Sequence, residues 1–132
     1  MKTILLITSL CAAAMSSHAQ NIRTSAISWH ITQAFDINTG TTTDVTDTII
    51  SISTSQLQWQ TNGSTKTFAV SEVIGQWTDI DNNGEIVYEA GNESMRGTVT
   101  FIRAGGAMRI RLMMTGETLI AYEFTISAYQ VQ

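Results

Sequence analysis

GAMRIRLMM, Gly106 to Met114, sets Arg109 and Arg111 between apolar neighbours, and the side on which those arginines lie governs how the rest of the chain is read. In an extended chain successive side chains point to opposite faces, so Met108, Ile110, Leu112 and Met114 share one face and the two arginines the other. If the apolar set is buried, both guanidinium groups meet water and grip no buried anion. The flanking stretches test this, because turn lengths set register and a one-residue slip sends every side chain to the wrong face. Upstream, a two-residue Gly105-Gly106 turn opposes Phe101 to Ile110 and Val99 to Leu112. Downstream, a three-residue Thr115-Gly116-Glu117 loop is expected to oppose Ile110 to Tyr122 and Met108 to Phe124, with Arg109 opposite Glu123. An exposed pair of that kind contributes about 0.2–1 kcal/mol and serves as a register aid.

The same alternation runs outward to both ends. A four-residue loop from Gly91 to Ser94 is expected to oppose Tyr88 to Gly97, Ile86 to Val99 and Glu89 to Arg96. Asn62-Gly63 is a type I′ signal that puts Leu57 opposite Phe68. AISWHITQAFDI places Ile27, Trp29, Ile31, Phe35 and Ile37 on one face, and Ser28, His30, Thr32 and Asp36 on the other. TIISIS adds Ile50 and Ile52 to the apolar face. A change of parity near Ser71 and Glu72 marks a β-bulge, beyond which Val73 and Trp77 turn inward. One long connection remains, the polar run from Asn38 to Asp47, placed to act as a lid.

Eight antiparallel segments with one apolar face leave two unmatched edges unless the first and last strands pair. The pattern therefore predicts an all-β fold, a single eight-stranded antiparallel up-and-down barrel, with a two-sheet sandwich as the alternative. Such a barrel either fills its interior with side chains or holds one small ligand. Composition agrees, since the chain has no proline and only 14% charged residues, and much of its polarity comes from threonine and serine. β-Branched side chains fit a pleated surface and lose rotamer freedom in helices.

MKTILLITSLCAAAMSSHAQ opens the chain with a positive Lys2, a short apolar run and a small-x-small site at Ser17-His18-Ala19. It reads as a signal peptide over residues 1–19, leaving a β-barrel domain over residues 20–132 that is secreted or periplasmic. Cys11 is the only cysteine, so its removal leaves neither a disulfide nor a thiolate metal site. A formal charge of −4 argues against nucleic acid as a partner. An outer-membrane barrel would need strands of roughly 9–11 residues. Thr48 to Ser53 is shorter, so a membrane-embedded barrel is not expected.

Catalysis finds little to work with. His30, the one histidine left after the leader, lies on the outward face with no serine or carboxylate relay, and no enzyme is expected. DIDNNGEIVYEA, Asp79 to Ala90, opens like a calcium loop: Asp79, Asp81 and Asn83 would supply hard oxygens to a weak Ca²⁺ site, and Gly84 the turn. Ala90 stands where that motif needs a bidentate glutamate, and the competing reading is a hairpin turn with positive φ at Asn83-Gly84. The inward face carries Trp29, Trp59, Trp77, Tyr88, Phe101, Tyr122 and Phe124, which would line a ligand pocket if the barrel is not filled. Lys66, opposite Trp59, would meet a ligand's carboxylate head at the mouth. No other cofactor is implied.

With a leader, this length, no cysteine beyond the leader and an eight-strand meander, the chain resembles small secreted bacterial proteins of the lipocalin-like, or calycin, barrel group. Ile27-Ser28 precede Trp29 where lipocalins carry G-x-W, and AYEFTISAYQ lacks the usual last-strand arginine. The resemblance implies carriage of a small hydrophobic molecule. The alternative is a filled-barrel interaction module or inhibitor that meets another extracellular protein through its loops.

Overall fold

The computed structural model describes residues 21–132, so the signal-peptide reading of residues 1–19 lies outside the described residues. Strands run β1 Ala26–Asp36, β2 Thr41–Asp44, β3 Thr48–Ile52, β4 Gln56–Thr61, β5 Ser64–Ile74, β6 Gly84–Gly91, β7 Arg96–Ala104, β8 Ala107–Thr115 and β9 Leu119–Val131. Every sheet neighbour pairs antiparallel. β9 returns to pair with β1 from Ile27–Val131 to Asp36–Tyr122, which closes the sheet. β2 and β3 follow one another along the same edge of β1, opposite its C-terminal and N-terminal halves respectively. They form one stave of the wall, and the barrel is eight-stranded.

Hairpin chemistry sets most of the register. Asn62 at φ 47° and Gly63 at φ 77° make the I′ turn that puts Leu57 opposite Phe68. Gly105 and Gly106, at φ 59° and 79°, hold Phe101 opposite Ile110 and Val99 opposite Leu112 as expected. A register shift between Val70 and Glu72 confirms the bulge in β5.

Two loops sit further along than the sequence suggests, each changing the pairing by two residues and so preserving the faces. Ile86 pairs with Phe101, Tyr88 with Val99 and Glu89 with Thr98, not with Arg96. The cause is Asn92, whose side-chain oxygen accepts from the Ser94 and Met95 amides and organises the turn after Gly91. Likewise Ile110 pairs with Phe124 and Leu112 with Tyr122, with the loop closed by Gly116 N donating to Thr118 O. Arg111, not Arg109, is then directly opposite Glu123. Both arginines nonetheless reach that carboxylate from the outside, Arg109 at 3.0 Å and Arg111 at 3.5 Å. The opening stretch therefore faces as expected: Ile110, Leu112 and Met114 are buried and the arginines exposed.

Two faces differ from expectation. In β1 the register against β9 shifts between His30 and Gln33, so Ala34 turns inward while Phe35 and Ile37 are each 39% exposed. In β3 the inward residues are Ile49 and Ser51, and Ile50 and Ile52 lie half-buried on the other side. The reason is polar: Ser51 Oγ accepts the buried indole N–H of Trp29 at 3.0 Å, which an isoleucine at that place would leave unpaired. The Asn38 to Asp47 connection is no free lid, since Thr41 to Asp44 pair with β1 as β2.

One end of the barrel is plugged. A 3₁₀ turn, Ile22–Thr24, lays Ile22 into the core, and its amide donates to Trp77 O. Trp77 and Ile80, from the β5–β6 connection, are buried beside it. Gly84 is needed here for space, not for turn geometry: a Cβ would lie 2.3 Å from the Trp77 ring. Neither Asn83 nor Gly84 has a positive φ, so the reading of a hairpin turn with positive φ there does not hold.

Candidate functional site

The inward rings fall into two groups at opposite ends of the barrel. At the plugged end Trp29 packs on Phe101 with centroids 5.0 Å apart, on Tyr129 at 6.0 Å and on Trp77 at 6.2 Å, while Tyr88 meets Phe101 edge-on at 5.3 Å. Trp29, Tyr88 and Phe101 have no exposed surface. The Tyr88 hydroxyl finds no hydrogen-bond partner among the described residues, and burial pushes its pKa up to about 12 against a small opposing pull from Arg23. Trp29, Tyr88, Phe101 and Trp77 are packed core.

The second group is different. Trp59 projects from β4 to Phe124 at 5.6 Å and Tyr122 at 6.2 Å, both on β9, and those two stack on each other at 5.6 Å. In the wall β4 and β9 are separated by β3 and β1, so the Trp59–Phe124 contact crosses the interior. Above it lies a pocket of about 450 Å³ lined by these three rings with Ala34 and Val45. Its polar wall comes from Asp36 and Asp47 and from threonines 39, 41, 43 and 61.

Local structure explains why the pocket is there. The β1 shift at His30 to Gln33 turns small Ala34 and polar Asp36 inward, where unbroken alternation would have put Phe35. β4 stops at Thr61, and β2 pairs with β1 alone, leaving the wall beside β2 without a neighbour. Threonines 41 and 43 then present short side chains to the interior, filling less of it than the isoleucines and rings of the other end.

The carboxylates are held in place. Asp47 is 7% exposed, and its Oδ2 accepts from Trp59 Nε1 at 3.1 Å, which orients the indole across the barrel. Asp36 Oδ1 accepts from the Asn38 amide at 2.9 Å, fixing the turn at the end of β1. Neither carboxylate is in an ion pair among the described residues. Lys66 does sit beside Trp59, with Nζ 4.9 Å from the ring centroid, outside the pocket lining.

The residues read as a calcium loop lie at the plugged end. Asp79 Oδ1 accepts from the Asp81 amide and Oδ2 from Asn82 Nδ2, an Asx turn satisfied by its own chain. Asp81 accepts from the Tyr129 hydroxyl, which raises the Tyr129 pKa. Among the described residues no three His, Cys, Asp or Glu side chains gather in a metal-holding group. His30 is exposed, and its Nδ1 lies 3.5 Å from Thr48 Oγ1.

Of the predicted lining, Trp59, Tyr122 and Phe124 meet at the pocket, Trp29, Trp77, Tyr88 and Phe101 gather at the plugged end, and Lys66 stands outside the lining. Asp36, Asp47 and the threonines were missed. A closed eight-stranded barrel of this kind is consistent with a calycin-like architecture. No protein-family model, no curated protein and no solved structure matches the chain.

Proposed function

We propose that the protein is a lipocalin-like binding protein, secreted or periplasmic, that holds one small, largely apolar molecule at the open end of its barrel and does no chemistry on it. One observation carries this reading: at one end of the barrel Trp29, Tyr88 and Phe101 are wholly buried, yet at the other a pocket of about 450 Å³ reaches down to the rings of Trp59, Tyr122 and Phe124. A concave, ring-floored site with a few placed polar groups is the usual form of a small-molecule pocket.

The test uses N-phenyl-1-naphthylamine, a neutral apolar fluorophore. Saturable one-to-one binding is expected, with a free energy of about −6 to −8 kcal/mol. Thr41→Trp, which fills the mouth from an exposed strand, should abolish binding and leave the circular dichroism spectrum unchanged. Absence of saturable binding, or binding indifferent to that substitution, overturns the proposal.

A second reading has one observation in its favour. Phe35, Ile37, Met113 and Leu119 are exposed apolar residues, and Ile37, just past the end of β1, and Met113 of β8 flank Ala121 of β9 on the outer wall near the mouth. An interaction module or inhibitor would use that surface against another extracellular protein. Loss of a co-purifying protein on Phe35→Ser/Ile37→Ser, with probe binding retained, would favour it.

A further inference from the structure

We propose that the ligand is an organic cation, an apolar body ending in a protonated amine whose ammonium meets Asp36 and Asp47. This rests on the pocket being a ligand site and adds the sign of the ligand's charge.

Asp47 carries the argument. It is more than nine-tenths buried and lines the pocket, and the partner of its side chain among the described residues, Trp59 Nε1, is a neutral donor. A neutral donor orients a carboxylate without cancelling its charge, and a buried carboxylate without a counterion is costly. Among the described residues no lysine, arginine or histidine lines the pocket, and Asp36 adds a second acid to the same wall. The wall thus lacks a cation that the ligand would bring.

The rings agree with that sign. An aromatic face is negative and attracts an ammonium group lying over it. Trp59 already does this, since Lys66 Nζ stands 4.9 Å from its ring centroid. Tyr122, Phe124 and Trp59 present further ring surface within the lining, with Trp59 at 60–66° to the other two. A carboxylate ligand would instead meet two aspartates and the negative faces of three rings. The Lys66 of the sequence reading is not in the lining to receive it.

Three probes of one shape test the proposal by calorimetry at pH 7: 2-(1-naphthyl)ethylamine, 2-(1-naphthyl)ethanol and 3-(1-naphthyl)propanoate. The amine should bind at least about tenfold more tightly than the alcohol, and the carboxylate more weakly than either. Asp36→Asn/Asp47→Asn, which keeps an acceptor for Asn38 N and for Trp59 Nε1, should bring the amine down to the alcohol's affinity without moving the alcohol. Lys66→Met removes a like charge at the rim and should tighten the amine. Equal binding of amine and alcohol, a preference for the carboxylate, or a loss of amine binding in Lys66→Met overturns the cation assignment while leaving the pocket standing. If none of the three probes binds saturably, the pocket reading falls, and the cation assignment with it.

Discussion

Trp59 Nε1 donates to Asp47 Oδ2 at 3.1 Å, and this one bond joins the wall stave β2–β3 to the floor of the pocket. Trp29 and Ser51 repeat the arrangement at the packed end, at 3.0 Å. Both indole N–H groups thus end on a polar side chain of the β2–β3 stave, whereas that of Trp77, also buried, ends on the Asn82 backbone carbonyl at 2.9 Å.

Removing an acceptor strands a buried donor, at about 1–3 kcal/mol. Ser51→Ala should therefore destabilise the fold by that amount in urea unfolding. Asp47→Asn, which keeps a carbonyl acceptor, should cost less than Asp47→Leu. Equal losses for the two Asp47 variants would show that the indole bond contributes nothing.

Gly84 gives the Trp77 ring its place against the backbone, and a methyl group there would sit 2.3 Å from Trp77 Cδ1. Gly84→Ala is expected to cost about 2–4 kcal/mol through overpacking and to shift the tryptophan emission to the red as Trp77 is displaced. An unchanged melting temperature would contradict this packing.

Tyr88 supplies a pH dependence. Burial pushes its folded pKa up to about 12, above the ordinary tyrosine value of 10.0, so folding favours the protonated phenol. The contribution is whole below about pH 10 and is lost as the pH rises through about 12; two units correspond to about 2.7 kcal/mol. Tyr88→Phe should flatten this alkaline decline. At pH 7 it should be neutral or stabilising by up to about 1 kcal/mol, because the hydroxyl it deletes is buried without a partner.

Glu123 takes two arginines on the outer wall, where Arg109 and Arg111 are 57% and 49% exposed. Glu123→Gln should change stability by less than about 1 kcal/mol, and the difference should shrink further in 0.5 M salt. A larger loss would mean that these pairs hold the β8–β9 register and do not merely accompany it.

Eight strand segments without β2, the Asn62-Gly63 and Gly105-Gly106 turns, the bulge in β5 and the closure into an eight-stranded barrel were legible in the sequence, because alternation and turn residues are local signals that must agree with one another around a closed sheet. The arginines of GAMRIRLMM could be placed outside on that ground alone. What the sequence left undecided was how the interior divides. Trp29 and Trp59 follow the same alternation, yet one is sealed under the 3₁₀ turn and the other floors a pocket. That difference comes from the shift between His30 and Gln33 and from the end of β4 at Thr61. Both depend on how distant strands meet across the barrel, since a bulge in β1 is set by its two neighbours, β9 and the β2–β3 stave, and not by its own residues. The inward aspartates escaped for the same reason: unbroken alternation puts Asp36 on the outer face, and reading Ile50 and Ile52 as inward puts Asp47 there too, until the β1 shift and the Trp59 indole, twelve residues on from Asp47, are seen.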